Sequence, residues 1–132
     1  MSKPPYDLDL PTGSRFNHEF EVSPAFVRRM LTESPNRLVL IDCREPNEHK
    51  TARIDGAELI PMGEVRQRIN DVEDLIDDAG AEDPEVVVYC HHGVRSLRVA
   101  AALRQMGIAN ARSMIGGIDS WSEQIDPSVP RY

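Results

Sequence analysis

Two runs in this chain, RLVLIDC at 37–43 and VVVYC at 86–90, are apolar without alternation and no longer than a strand. A strand with one face in water alternates apolar and polar residues. A run that does not alternate is buried on both faces, as strands inside a parallel sheet are. Helical spacing follows or precedes each run. Phe26, Val27, Met30 and Leu31 recur at helical intervals behind Ser23 as N-cap and Pro24 at the first helical position. Leu97, Ala100, Ala101, Leu103 and Arg104 do the same after the second run, and Gly107 suits the position just past the helix end. Weaker elements fill the rest: an edge strand near Phe20 and Val22, a helical turn about 48–52, and short strands at 57–60 and 110–115. The stretches 63–69 and 71–80 read as helical or partly helical, and Gly116-Gly117 turns the chain before a short helix, IDSWSEQI. Strands alternating with helices predict an α/β fold with helices on both faces of a mainly parallel central sheet.

A length of 132 residues fits one domain. Residues 1–18 are polar and rich in Pro and Gly, and are expected to form a flexible arm before a domain over 19–132. No apolar stretch is long enough to span a membrane, and the amino terminus has no apolar core of a secretory signal. The cytoplasm is the default compartment, where two cysteines stay as free thiols. The net charge of −7 argues against non-specific nucleic-acid binding. Its distribution is uneven. Residues 64–85 hold nine acids, whereas 86–113 hold none and four arginines, Arg95, Arg98, Arg104 and Arg112. A small anionic ligand is favoured in that second region.

The basic region opens with Cys90-His91-His92-Gly93-Val94-Arg95-Ser96, between a strand end and a helix start. In parallel sheets, sites form at the carboxyl ends of strands. Loop N–H groups, the helix amino terminus and Arg95 all favour thiolate over thiol at Cys90. Gly93 permits the positive φ that a tight cradle needs. A nucleophile and an anion pocket therefore coincide. Cys90 and Arg95 have four residues between them. Protein tyrosine phosphatases have one more, and a shorter loop makes a smaller cradle, matched to one sulfur atom better than to a phosphate. A metal site needs three or four convergent ligands, and Cys90, His91 and His92 are adjacent rather than spaced, so neither metal nor cofactor is expected. His91 and His92 read as solvated, or as positive charge near a ligand and a pH-dependent gate. Cys43 reads as a small apolar filler, with a resolving thiol for Cys90 as the sharper alternative. That alternative needs Cα atoms within about 7 Å, which in-register neighbouring strands, about 5 Å apart, provide.

Four blocks in order, LIDCREPNE, ARIDGAELIP, VVVYCHHGVRS and MIGGIDSW, resemble the single-domain rhodanese (thiosulfate sulfurtransferase-like) family over about residues 20–125. Ala52-Arg53 stands where that family usually has Gly-His, and Cys43 where an apolar residue is commoner. The resemblance implies a rhodanese-like three-layer α/β/α fold and a persulfide mechanism without cofactor. Cys90 would attack the outer sulfur of thiosulfate or a similar small anionic donor, and sulfite would leave. The loop N–H groups over His91, His92, Gly93, Val94 and Ser96 would hold the sulfur. Cyanide, a small thiol or a protein cysteine would then remove it. Arg95 would bind the donor or brace the loop, and Asp42 and Arg44 would support it from the neighbouring strand end. Trp121 looks like packing. A persulfide carrier serving one partner protein is the rival reading. The ending from Trp121 to Tyr132 resembles rhodanese domains appended to ubiquitin-activating-like adenylyltransferases, which implies a sulfur-donor role in cofactor or tRNA thiolation.

Overall fold

A computed structural model describes residues 3–132. Its strands are β1 (Glu21–Val22), β2 (Leu38–Asp42), β3 (Glu58–Leu59), β4 (Glu85–Tyr89) and β5 (Ala111–Met114). They form one sheet in the order β1-β5-β4-β2-β3, every pair parallel. The helices are α1 (Pro24–Glu33), α2 (Pro46–Thr51), α3 (Ile69–Asp78), α4 (Val94–Gln105) and α5 (Gly117–Gln124). The α/β architecture expected from the two apolar runs is the one observed.

Those runs became β2 and β4, at the middle of the sheet, because helices cover both faces. Leu38, Leu40, Val87 and Tyr89 point into a cluster with Phe26, Val27 and Met30 of α1 and Ile118 and Trp121 of α5. Val39, Ile41, Cys43, Val86, Val88 and Cys90 point the other way, against Val72 of α3 and Val99, Ala100 and Leu103 of α4. Three layers result. Each buried Val, Leu or Ile contributes about 1.5–3 kcal/mol, so a charge at any of these positions would be disruptive. The register pairs Ile41 with Val88 and Asp42 with Tyr89. Because side chains alternate along a strand, this register sends Cys43 and Cys90 to the α4 face and Asp42 and Tyr89 to the opposite one.

Local rules explain the helix starts. Ser23 Oγ accepts the Phe26 N–H at 3.1 Å, with Pro24 in the first turn. Glu45 and Glu48 form a capping box at α2, again with Pro following the cap. The expected helical stretch at 63–69 is one 3-10 turn, Met62–Glu64, followed by turns up to the start of α3. Buried Val65 anchors that segment. Residues 3–18 hold neither helix nor strand. Tyr6 nevertheless packs on Phe26 in a tilted pair with centroids 5.1 Å apart, and Lys3 pairs with Glu85 at 2.8 Å. Among the described residues, no helix is long and apolar enough to cross a membrane.

Candidate active site

Cys90 follows β4 directly and α4 begins at Val94, so the turn between them is very short. Gly93 makes it possible. Its φ is +101°, and a Cβ there would lie 3.2 Å from the Gly116 backbone nitrogen. From the far side, α5 grips the loop: Ile118 N–H donates to the Cys90 carbonyl at 2.9 Å and Asp119 N–H to the His91 carbonyl at 3.1 Å. A Cβ on Gly117 would collide with those carbonyls, at 2.4–2.5 Å. With its carbonyls turned toward α5, the loop directs N–H groups at the sulfur. Gly93 N–H donates to Cys90 Sγ at 3.1 Å and Ser96 N–H at 3.3 Å. Ser96 Oγ lies 3.3 Å from the sulfur and 2.7 Å from Ser113 Oγ.

Cys43 shares the buried cluster on the α4 face with Cys90. Its thiol is the leading cause of a Cys90 pKa well below the ordinary thiol range; the Ser96 hydroxyl and the Ser96 and Gly93 amides add to it against the opposing effect of burial. Cys43 moves the other way. The neighbouring Cys90 anion, followed by burial, keeps it a thiol. Cys90 is thus a thiolate stabilised by dipoles, and it is only 1% exposed.

A charged assembly lies on the opposite face of the same strand ends. Asp42 and Arg44 are both 0% exposed. Arg44 donates Nε to Asp42 Oδ1 at 2.9 Å and Nη2 to Oδ2 at 2.7 Å, a two-pronged fork. Asp42 also accepts the Tyr89 hydroxyl at 3.2 Å and meets His49 Nδ1 at 2.8 Å. Arg44 reaches on to the Ala52 and Glu48 carbonyls, tying the end of α2 to β2. That fixes Glu48, which receives Arg95 Nη1 at 2.8 Å and Nη2 at 3.0 Å. Arg95, the leading cause, holds the Glu48 carboxyl at a pKa of about 2. Tyr132 closes the circuit: its hydroxyl accepts from Arg44 at 2.7 Å and donates to Glu48 at 2.8 Å. Its ring lies parallel to His91 at 3.9 Å, and His91 stacks on His92 at 4.0 Å. Burial, then the adjacent His92, lowers the His91 pKa.

Residues 23–124 match the profile of the Rhodanese-like domain family. The chain belongs to that family. It is 37% identical over 111 residues to the probable adenylyltransferase/sulfurtransferase MoeZ of Mycobacterium tuberculosis, a match covering 84% of this chain and 26% of that protein. The chain therefore spans about a quarter of the length of such curated relatives. The human single-domain sulfurtransferase TSTD1 superposes with a TM-score of 0.64 at 27% identity, over 79% of this chain and 96% of that one. A rhodanese-related protein from Thermoplasma volcanium gives 0.66 at 26% identity, over 86% and 99%.

Within this rhodanese-like domain, the residues singled out from sequence divide into two groups. Cys90, Gly93 and Ser96 meet at the sulfur. Asp42, Arg44 and Arg95 meet one another through Glu48 and Tyr132 instead, and the Arg95 fork is engaged by a carboxylate. Val94 is 64% exposed, and His91 and His92 take part in the aromatic stack. Ser113, Glu48, Tyr132, His49 and the Tyr89 hydroxyl were missed. Ser113 could have been found as a polar residue at an inward position of β5. Glu48 lies in the helical turn expected next to Arg44. Tyr132 carried no local signal.

Proposed function

We propose that this rhodanese-like domain is a sulfurtransferase that carries sulfane sulfur as a Cys90 persulfide. The observation that supports this most is a buried cysteine thiolate held by the Gly93 and Ser96 amides at a helix start. In the first step Cys90 Sγ attacks the outer sulfur of thiosulfate or a similar anionic donor. A sulfur–sulfur bond forms on Cys90, the donor's own sulfur–sulfur bond breaks, and sulfite leaves with its electron pair. In the second step a thiol, cyanide or protein cysteine attacks the outer sulfur and Cys90 leaves as thiolate. The amides that keep Cys90 as thiolate for the first step also stabilise it as the leaving group, which lowers the barrier of the second. Arg95, paired with Glu48, braces the loop rather than reaching for the donor. That pairing, with the short spacing to Cys90, disfavours phosphate chemistry.

The alternative is a carrier that delivers to a docked protein. Cys90 is almost wholly buried and Tyr132 stacks beside the loop, so such a partner would have to displace the Tyr132 ring to reach the sulfur. MoeZ, whose name joins adenylyltransferase with sulfurtransferase, makes a protein acceptor a natural choice. We place the working unit at 19–132, with 1–18 as an arm. Free thiols at its centre suit a reducing compartment such as the cytoplasm. The test is steady-state transfer from thiosulfate to cyanide or a small thiol. Continuous turnover that Cys90→Ser abolishes supports the enzyme, and one transfer per chain followed by arrest supports the carrier. Undiminished turnover in Cys90→Ser contradicts both.

A further inference from the structure

The transfer cycle leaves Cys43 without a task, yet the fold puts it against the reacting sulfur. The parallel register pairs Asp42 with Tyr89 and continues one residue further, with Cys43 N–H donating to the Tyr89 carbonyl at 3.0 Å. Cys43 and Cys90 are thus neighbours at adjacent strand ends, where Cα atoms about 4.8 Å apart fall inside the disulfide range of about 4.4–6.8 Å. Strand alternation sends both side chains into the same apolar cluster, each 1% exposed. Register, shared face and burial agree, and a link between the two requires little backbone movement.

We propose that Cys43 is a resolving thiol for the Cys90 persulfide, a role that rests on the persulfide cycle above. When no acceptor arrives, the Cys43 sulfur attacks Cys90 Sγ. A Cys43–Cys90 bond forms and the bond from Sγ to the outer sulfur breaks. The outer sulfur leaves with that electron pair and takes the Cys43 proton, giving one disulfide and one hydrogen sulfide. The two cysteines are oxidised and the sulfane sulfur is reduced to sulfide, so no external oxidant takes part. Two equivalents of a small thiol, or a protein dithiol, then reduce the disulfide by exchange, leave as their own disulfide and restore Cys43 and Cys90.

The resting site keeps this reaction off. Cys43 holds its proton chiefly because of the neighbouring Cys90 anion, with burial second. Persulfidation moves the charge from Sγ to the outer sulfur and so removes the leading cause. Burial persists, which makes resolution slower than transfer to a ready acceptor. The persulfide then has a built-in lifetime, after which the domain discards its sulfur and waits in the disulfide form.

The test loads protein with thiosulfate, removes the donor without oxygen, and follows intact mass and released sulfide with no acceptor present. Wild type is expected to pass from one sulfur above the reduced mass to two hydrogens below it. Sulfide should appear in step, and peptide mapping should join Cys43 to Cys90. Cys43→Ser and Cys43→Ala, with their initial loading measured, are expected to keep the sulfur at least about tenfold longer, equivalent to about 1.4 kcal/mol of barrier. A wild-type persulfide as long-lived as the variants', or sulfur found on Cys43 with no disulfide, overturns the inference and leaves the persulfide cycle standing. A wild type that never loads overturns both. If neither variant loads, the wild-type map decides: a Cys43–Cys90 link supports the inference, and its absence overturns it.

Discussion

Asp42 and Cys43 are consecutive, as are Tyr89 and Cys90, yet each pair is split between two unlike environments. On the α4 face, neutral donors hold a sulfur anion: two amides and a hydroxyl, with the Cys43 thiol in the same cluster. On the other side, two ion pairs, Asp42–Arg44 and Glu48–Arg95, are joined by the bond from Arg44 to the Glu48 carbonyl and by the Tyr132 hydroxyl. Strand alternation keeps the two apart at the same sheet edge. A fixed dipole stabilises an anion without forming a salt with it, so the sulfur stays reactive. The ions chiefly hold elements in place, although Arg95, in the first turn of α4, also interacts with both sulfurs through its charge.

If this division is right, the two faces fail differently when broken. The largest effect is expected from Asp42→Asn, which strands the buried Arg44 guanidinium and removes partners of Tyr89 and His49. Loss of about 3–5 kcal/mol in denaturant unfolding is predicted, while alkylation of Cys90 in the still-folded fraction keeps its low-pH reactivity. Ser96→Ala should do the reverse. It takes the hydroxyl from Cys90 and leaves Ser113 Oγ buried without its partner, at about 1–3 kcal/mol of stability. It should also raise the pH at which Cys90 alkylation begins. An Asp42→Asn protein whose Cys90 ionisation moves further than that of Ser96→Ala would break the division.

The smallest effect belongs to the link between helices. Glu48 has a folded pKa of about 2, against about 4.3 for an unfolded glutamate. Its folded value is depressed, so its contribution is fully present above the unfolded pKa. It is lost as pH falls from about 4.3 toward 2. Glu48→Gln should therefore lower stability near neutral pH by about 1 kcal/mol and flatten the acid limb of the stability curve in that window. Unchanged acid unfolding in the variant would place the Arg95 brace elsewhere.

The same division explains what the sequence disclosed. β2 and β4 were legible because burial on both faces leaves an unbroken apolar run. β1 and β3 have two residues each, too few for any period to fix their ends. The sulfur cradle was legible because Cys90, Gly93 and Ser96 are close in the chain, and a strand-to-helix turn brings them together by itself. The charged face was legible only in part: Asp42, Arg44 and Arg95 stood out, but their distant partners did not. Arg95 meets Glu48 across 47 residues and Tyr132 meets it across 84. Such pairs depend on packing that no local pattern encodes. Cys43 falls between the two cases. It read as an apolar filler or, on strands paired in register, as a resolving thiol, and the register of β2 on β4 places it beside Cys90 on the same face.

The central claim is that Cys90 is where sulfur is held, and intact-protein mass spectrometry immediately after adding thiosulfate tests it most directly. The account predicts a gain of one sulfur mass on wild type, located on the Cys90 peptide and absent from Cys90→Ser. A Cys90→Ser protein that still gains the sulfur would contradict it.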